Sequence, residues 1–141
     1  MTTPTNAYDG ELKITLYDRV YPLRINMGVI AKFKTETGKC FNSAAVDAIY
    51  AFQDSTECDN IVERAAILSR SISMEDAAIL FFLAANEMDS QVQFDEIQEA
   101  VLMDGVLPRV TDNGAMTKSY PVLFVDVCYF ALIGIFKKKD R

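Results

Sequence analysis

Histidine is missing from all 141 residues, and that single absence removes most of the familiar catalytic chemistry. Ser-His-Asp and Cys-His arrangements are excluded outright. Cysteine is scarce, with Cys40, Cys58 and Cys128 forming an odd set without a CxxC pair. A zinc site would need all three thiolates plus a carboxylate at spacings that zinc modules do not use, so packing thiols are the better reading. Basic charge is short too: 14 Lys and Arg against 20 Asp and Glu leave a net charge of -6, which disfavours generic binding to nucleic acid. No GxGxxG, GxxxxGK[ST] or HExxH pattern occurs, and no Asp-rich loop has the Gly and terminal Glu of an EF-hand. The carboxylate pairs Glu75-Asp76 and Asp95-Glu96 open helices, where acids are expected for stability. The expectation is no cofactor, no metal and no enzyme.

A membrane address is equally unsupported. Met1 to Gly10 is polar and lacks the apolar core of a signal peptide, which predicts a cytosolic chain with reduced thiols. Only Pro121 to Phe136 is a long apolar stretch, and as a helix it would reach about 24 Å, short of the roughly 30 Å of a bilayer core. Asp126 inside it adds a further penalty.

What is present begins at Glu11. Leu12, Ile14 and Leu16 alternate with Lys13 and Thr15, Tyr17-Asp18-Arg19 is a polar break, and Tyr21, Leu23 and Ile25 resume the alternation. That pattern is a β-hairpin with one buried face. Pro22 has no N–H to give a ladder, so at least one hairpin edge is expected to be unpaired. Asn26 then caps a helix over Met27 to Thr37, with Val29, Ile30 and Phe33 as its apolar stripe and Gly38 as its left-handed end.

The order KITLYDRVYPLRIN, then a helix ending in Thr37-Gly38-Lys39, then a run of small acidic helices, resembles the tail assembly chaperones of long-tailed bacteriophages. The likeness covers roughly Leu12 to Met103. It implies a non-enzymatic protein that binds the long tape-measure protein in several copies, keeps it soluble and helps recruit tail tube protein around it. It also implies a homo-oligomer of the host cell cytoplasm that is absent from the mature virion. Members of that family are often made in two forms through ribosomal frameshifting, and Lys137-Lys138-Lys139 could be encoded by a slippery run; the favourable meeting of lysines with a helix C-terminus explains them as well.

Further along, Ser43 is expected to cap a short helix through Phe52 with Ala45, Val46 and Ile49 inward. Asp59 or Asn60 opens the next helix, with Ile61, Ala65, Leu68 and Ile72 at helical spacing. Ser73 starts a helix whose Ala77 to Ala85 segment is apolar on every side, which marks Leu80, Phe81, Phe82 and Leu83 as core. Phe94 to Met103 follows, with Phe94, Ile97 and Val101 inward. Gly105 to Tyr120 is either a connector or a binding loop. The last helix runs from Pro121 to about Phe136, and its apolar residues either enter the core or form an interface.

The fold expected is α+β, mostly α-helical: an N-terminal β-hairpin packed against about six helices. Residues 1–10 are read as a flexible tail, 11–136 as one domain and 137–141 as a basic tail. Charge is polarised, with thirteen acids and two bases between residues 41 and 104 but a net +3 in both 11–40 and 105–141. Intramolecular complementarity, head-to-tail association of copies and ordinary acidic surface helices all remain open. Candidate protein-binding residues are Phe124, Cys128, Leu132, Ile135 and Phe136 on the last helix, and Pro22 and Arg24 on the hairpin edge. Two other classes compete with the chaperone: a structural virion component, either tail tube or head-tail joining protein, and a small acidic regulator of a host protein.

Overall fold

The computed structural model describes residues 11–139, the last six of them as backbone only. The alternating segment folds as predicted into two antiparallel strands, β1 (Glu11–Leu16) and β2 (Arg19–Arg24). Leu16 faces Arg19 across a two-residue turn, and both Tyr17 (φ 47°) and Asp18 (φ 68°) lie in the left-handed region. A turn with positive φ at both central positions matches the right-handed twist of the strands, although neither residue is the glycine that takes it without strain.

Register fixes which backbone groups the ladder uses. In a two-residue hairpin the pair flanking the turn exchanges hydrogen bonds and pairs then alternate. Leu16, Ile14 and Leu12 therefore bond to β2, whereas Lys13, opposite Pro22, and Thr15, opposite Val20, turn their N–H and C=O groups to the outer edge of β1. Pro22 sits at a position where the ladder needs no donor, and its ring interrupts the outer edge of β2.

Six helices follow: α1 (Met27–Thr37), α2 (Phe41–Ser55), α3 (Ile61–Ser71), α4 (Met74–Met88), α5 (Phe94–Asp104) and α6 (Tyr120–Lys139). Their starts follow local chemistry. Asn26 Oδ1 accepts from the Val29 N–H at 2.9 Å, Asn60 Oδ1 from Val62, and Ser73 Oγ from Asp76 at 3.0 Å, each worth about 1 kcal/mol. Gly38 ends α1 at φ 74° with its N–H on the Lys34 carbonyl.

Several boundaries and burials differ from expectation: α2 runs on past Phe52 to Ser55, and α5 ends one residue late at Asp104. α2 begins at Phe41 instead of being capped by Ser43, because Phe41 packs edge-on to Phe33 and anchors the first turn. That rotation turns Ala45 and Ala48 inward and leaves Val46 exposed. Ile61, at the very start of α3, is likewise exposed. α6 starts one residue early at Tyr120 and continues to Lys139, so Lys137 to Lys139 belong to the helix and not to a tail. Residues 1–10 and the final two lie outside the described residues, as does the flexibility expected of the N-terminus.

The core is built around α4, which contacts β2, α1, α5 and α6, while α2 packs on α3 and α6. Leu80 and Phe81 are buried at its centre, and Phe82 and Leu83 pack half-buried against it. Tyr120, fully buried, donates its hydroxyl to the Ile72 carbonyl at 2.9 Å and so ties the start of α6 to the end of α3. The hairpin is held to α5 by Glu96, whose Oε2 accepts from Arg19 at 2.7 Å and from the Tyr21 hydroxyl at 2.9 Å.

Candidate protein-binding surface

Segment 105–119 has few strong hydrophobes, so nothing local folds it, and tertiary contacts decide its shape. It forms a small ribbon: Val110 bridges Met116, the Thr111 N–H donates to the Ala115 carbonyl, and the Thr117 N–H donates to the Arg109 carbonyl, both at 2.7 Å. Gly114, at φ 87°, makes the turn. These two bonds flank the Val110–Met116 pair, which leaves the N–H and C=O of Met116 pointing out of the ribbon.

Arg109 pins the ribbon to the hairpin. Its guanidinium lies 4.9 Å from the centre of the Tyr17 ring, 3.6 Å from Asp18 Oδ1 and 2.9 Å from Asp104 Oδ1. The Asp104 side chain is 1% exposed, so Arg109 supplies the positive charge that lets a carboxylate sit there. The hydrogen bond to Asp104 is also the main cause that raises the affinity of Arg109 for its proton. Among the described residues Asp104 Oδ2 and Arg109 Nε have no hydrogen-bond partner.

Two clefts flank this ribbon and share Met116, Thr117 and Lys118 as a wall. The first, about 500 Å³, runs along β1 from Leu12 to Thr15 and is bordered by Asp104, Arg109 and Leu123, with Lys118 and Asp126 paired at 2.7 Å on its rim. The second, about 400 Å³, is more apolar and lies between α3 and the ribbon, with Phe52, Ala65, Leu68, Val106, Pro108 and Val122 in its lining. Exposed Ile61 and Met116 stand at its border, and Val62 and Leu107 are exposed nearby in the chain.

The residues singled out from the sequence are distributed differently. Phe124 (2% exposed) packs against Phe81 of α4 and Cys128 (0%) is buried in the core, so neither is a surface contact in this fold. Burial is what pushes the Cys128 thiol up, away from thiolate chemistry. Leu132 is half-buried against the core, and the side chains of Ile135 and Phe136 lie outside the described residues. The outward face of α6 is carried instead by Tyr129 and Ile133, at 55% and 36% exposure. Pro22 and Arg24 are half-buried on β2, and Arg24 pairs with Glu11 across the strands at 3.3 Å. The open edge is that of β1. Sequence reasoning missed the Tyr17, Asp18, Asp104 and Arg109 cluster, and no spacing could have revealed it, since its members come from three separate segments.

Some of the charge polarity is satisfied internally. Arg19 meets Glu96 and Lys39 meets Asp76, joining the basic N-terminal third to the acidic helices. Asp47, Asp54, Glu57 and Glu63 on and between α2 and α3 have no ion pair among the described residues. Among the described residues no group of His, Cys, Asp or Glu could hold a metal, and no helix is long and apolar enough to cross a membrane.

Comparison with protein-family models, with curated proteins and with solved structures finds no match.

Proposed function

We propose that this chain is a non-enzymatic tail assembly chaperone that binds a long helical tape-measure protein in several copies, keeps it soluble and promotes addition of tail tube subunits. The observation that carries this reading is the apolar groove between α3 and the 105–119 ribbon. A shallow apolar groove with exposed Ile61 and Met116 at its border suits the apolar face of an amphipathic helix, and a methionine adapts to many helix sequences. The acids Glu57, Asp59 and Glu63 on and before α3, together with the groove's own Arg64 and Lys118, offer both signs of charge to the polar flanks of such a helix. In this reading the chain works in the host cytoplasm and leaves before the virion is complete. Among the described residues strand is limited to one two-stranded hairpin and a single isolated bridge, which gives the strand-rich tail tube alternative no support.

Co-expression with a phage tape-measure protein from the same genome tests the proposal. Several copies of this chain on a tape-measure protein that is otherwise insoluble is the expected result. An insoluble tape-measure protein beside a free chain would overturn it. Ile61→Asp, a surface change, is expected to lower the number of bound copies without unfolding the chain.

A further inference from the structure

We propose that the outer edge of β1 is a strand-accepting site, and that its occupant is a single extended polypeptide segment of a partner protein laid between β1 and residues 116–118. Three independent observations converge on this cleft. Lys13 and Thr15 direct backbone N–H and C=O groups to it, and among the described residues these groups take no hydrogen bond. Asp104, with its side chain 1% exposed, borders the cleft and among the described residues has Oδ2 without a partner, an acceptor just beneath the cleft wall that a donor of the seated occupant, from an extended backbone or a Ser, Thr, Asn or Lys side chain, would satisfy. Along β1 the lining alternates apolar Leu12 and Ile14 with polar Lys13 and Thr15, which fits a segment that alternates in the same way.

Edge chemistry selects β1 over β2. An unpaired edge is a template for strand addition, and a proline at its centre is one of the ways proteins block it. Pro22 does this for β2. β1 carries no proline, only the long side chain of Lys13, which leaves its backbone N–H and C=O in place, and the four positions from Leu12 to Thr15 offer a docking length of roughly 13 Å at 3.3–3.4 Å per residue. The charges at the cleft are largely spent on one another, in the pairs Lys118–Asp126 and Arg109–Asp104. Recognition therefore falls to backbone pairing and to the Asp104 acceptor. This site is separate from the α3 groove used in the chaperone reading.

The test uses the full chain and a displayed library of random ten-residue peptides. Recovered peptides, synthesised with blocked ends and added at about 100 times Kd, are expected to slow amide exchange at Lys13 and Thr15 by up to about 100-fold. Ile14 and Leu16 are already protected by the ladder in the free chain, so the gain of protection from an unprotected state is what marks Lys13 and Thr15. Lys13→Pro removes an edge N–H that the ladder does not use, so it should retain the parent unfolding midpoint and lose at least tenfold in peptide affinity. Lys13→Ala should bind within about twofold of the parent.

Failure to recover any peptide, protection confined to the α3 groove, or full affinity in Lys13→Pro would each overturn the proposal. Should Lys13→Pro unfold, the amide pattern in the parent decides alone. Protection of the same amides that grows with protein concentration, without peptide, would assign the edge to a second copy and overturn the partner segment. None of these outcomes bears on capture of the tape-measure protein, so the two readings fail separately.

Discussion

Replacing Arg109 by leucine isolates the interaction that shapes the cleft. Leucine keeps apolar contact with the Tyr17 ring and removes the cation from Asp104, whose side chain is 1% exposed. A buried carboxylate stripped of its partner costs about 3–5 kcal/mol. Arg109→Leu should therefore lose about 3–5 kcal/mol. Urea unfolding at neutral pH reads this directly, with the midpoint falling by roughly 1–3 M. The double variant Arg109→Leu, Asp104→Leu should return to within about 1 kcal/mol of the parent, because no charge is then left without a partner. A loss below about 1 kcal/mol for Arg109→Leu, or a double variant no more stable than the single one, would refute the reasoning, since it would mean that water reaches Asp104.

Other substitutions probe the core and the hairpin attachment. Tyr120→Phe deletes the buried hydroxyl that donates to Ile72 and strands that carbonyl, so chemical unfolding should register a loss of about 1–2 kcal/mol with little change in slope. Phe81→Ala opens a cavity at the centre of α4 against Phe124, and a loss of about 3–5 kcal/mol is expected in the same assay. The Gln93 N–H, followed by the Tyr21 hydroxyl and Arg19, holds Glu96 below the ordinary carboxylate value of 4.5. A lowered folded-state value means stability present at neutral pH and lost as pH falls through the carboxylate range, so Glu96→Gln should flatten the acid limb of the stability profile. An acid limb identical to the parent's would show that Glu96 carries none of it.

Local pattern was enough for the elements. Period-two alternation located the hairpin, Asn26, Asn60 and Ser73 announced three helix starts, and the apolar run from Ala77 to Ala85 identified the central helix. Each of these is a short-range preference, decided by residues within one turn or one strand. Errors arose where a distant partner overrode such preferences. Phe41 started α2 early because Phe33 was there to receive it, and Val46 was turned outward as a consequence.

The candidate site was the least legible part. Phe124 and Cys128 read equally well as interface or as core, because hydrophobicity says that a side chain avoids water but not what it meets; tertiary packing placed them inside. Pro22 did signal an unpaired edge, but only the pairing register shows that proline closes the β2 edge and leaves that of β1 available. Arg109 looked like any loop arginine until the fold brought it onto Tyr17, Asp18 and Asp104.

Sequence alone determined that this chain lacks the histidine-based chemistry of most hydrolases, that its charge is polarised, and that a β-hairpin precedes a set of capped helices. These are matters of composition and of contacts a few residues apart. Tertiary structure decided which apolar faces are buried, which strand edge stays open and where two clefts form around segment 105–119. Those depend on contacts between residues dozens of positions apart, whose free energies no local pattern encodes.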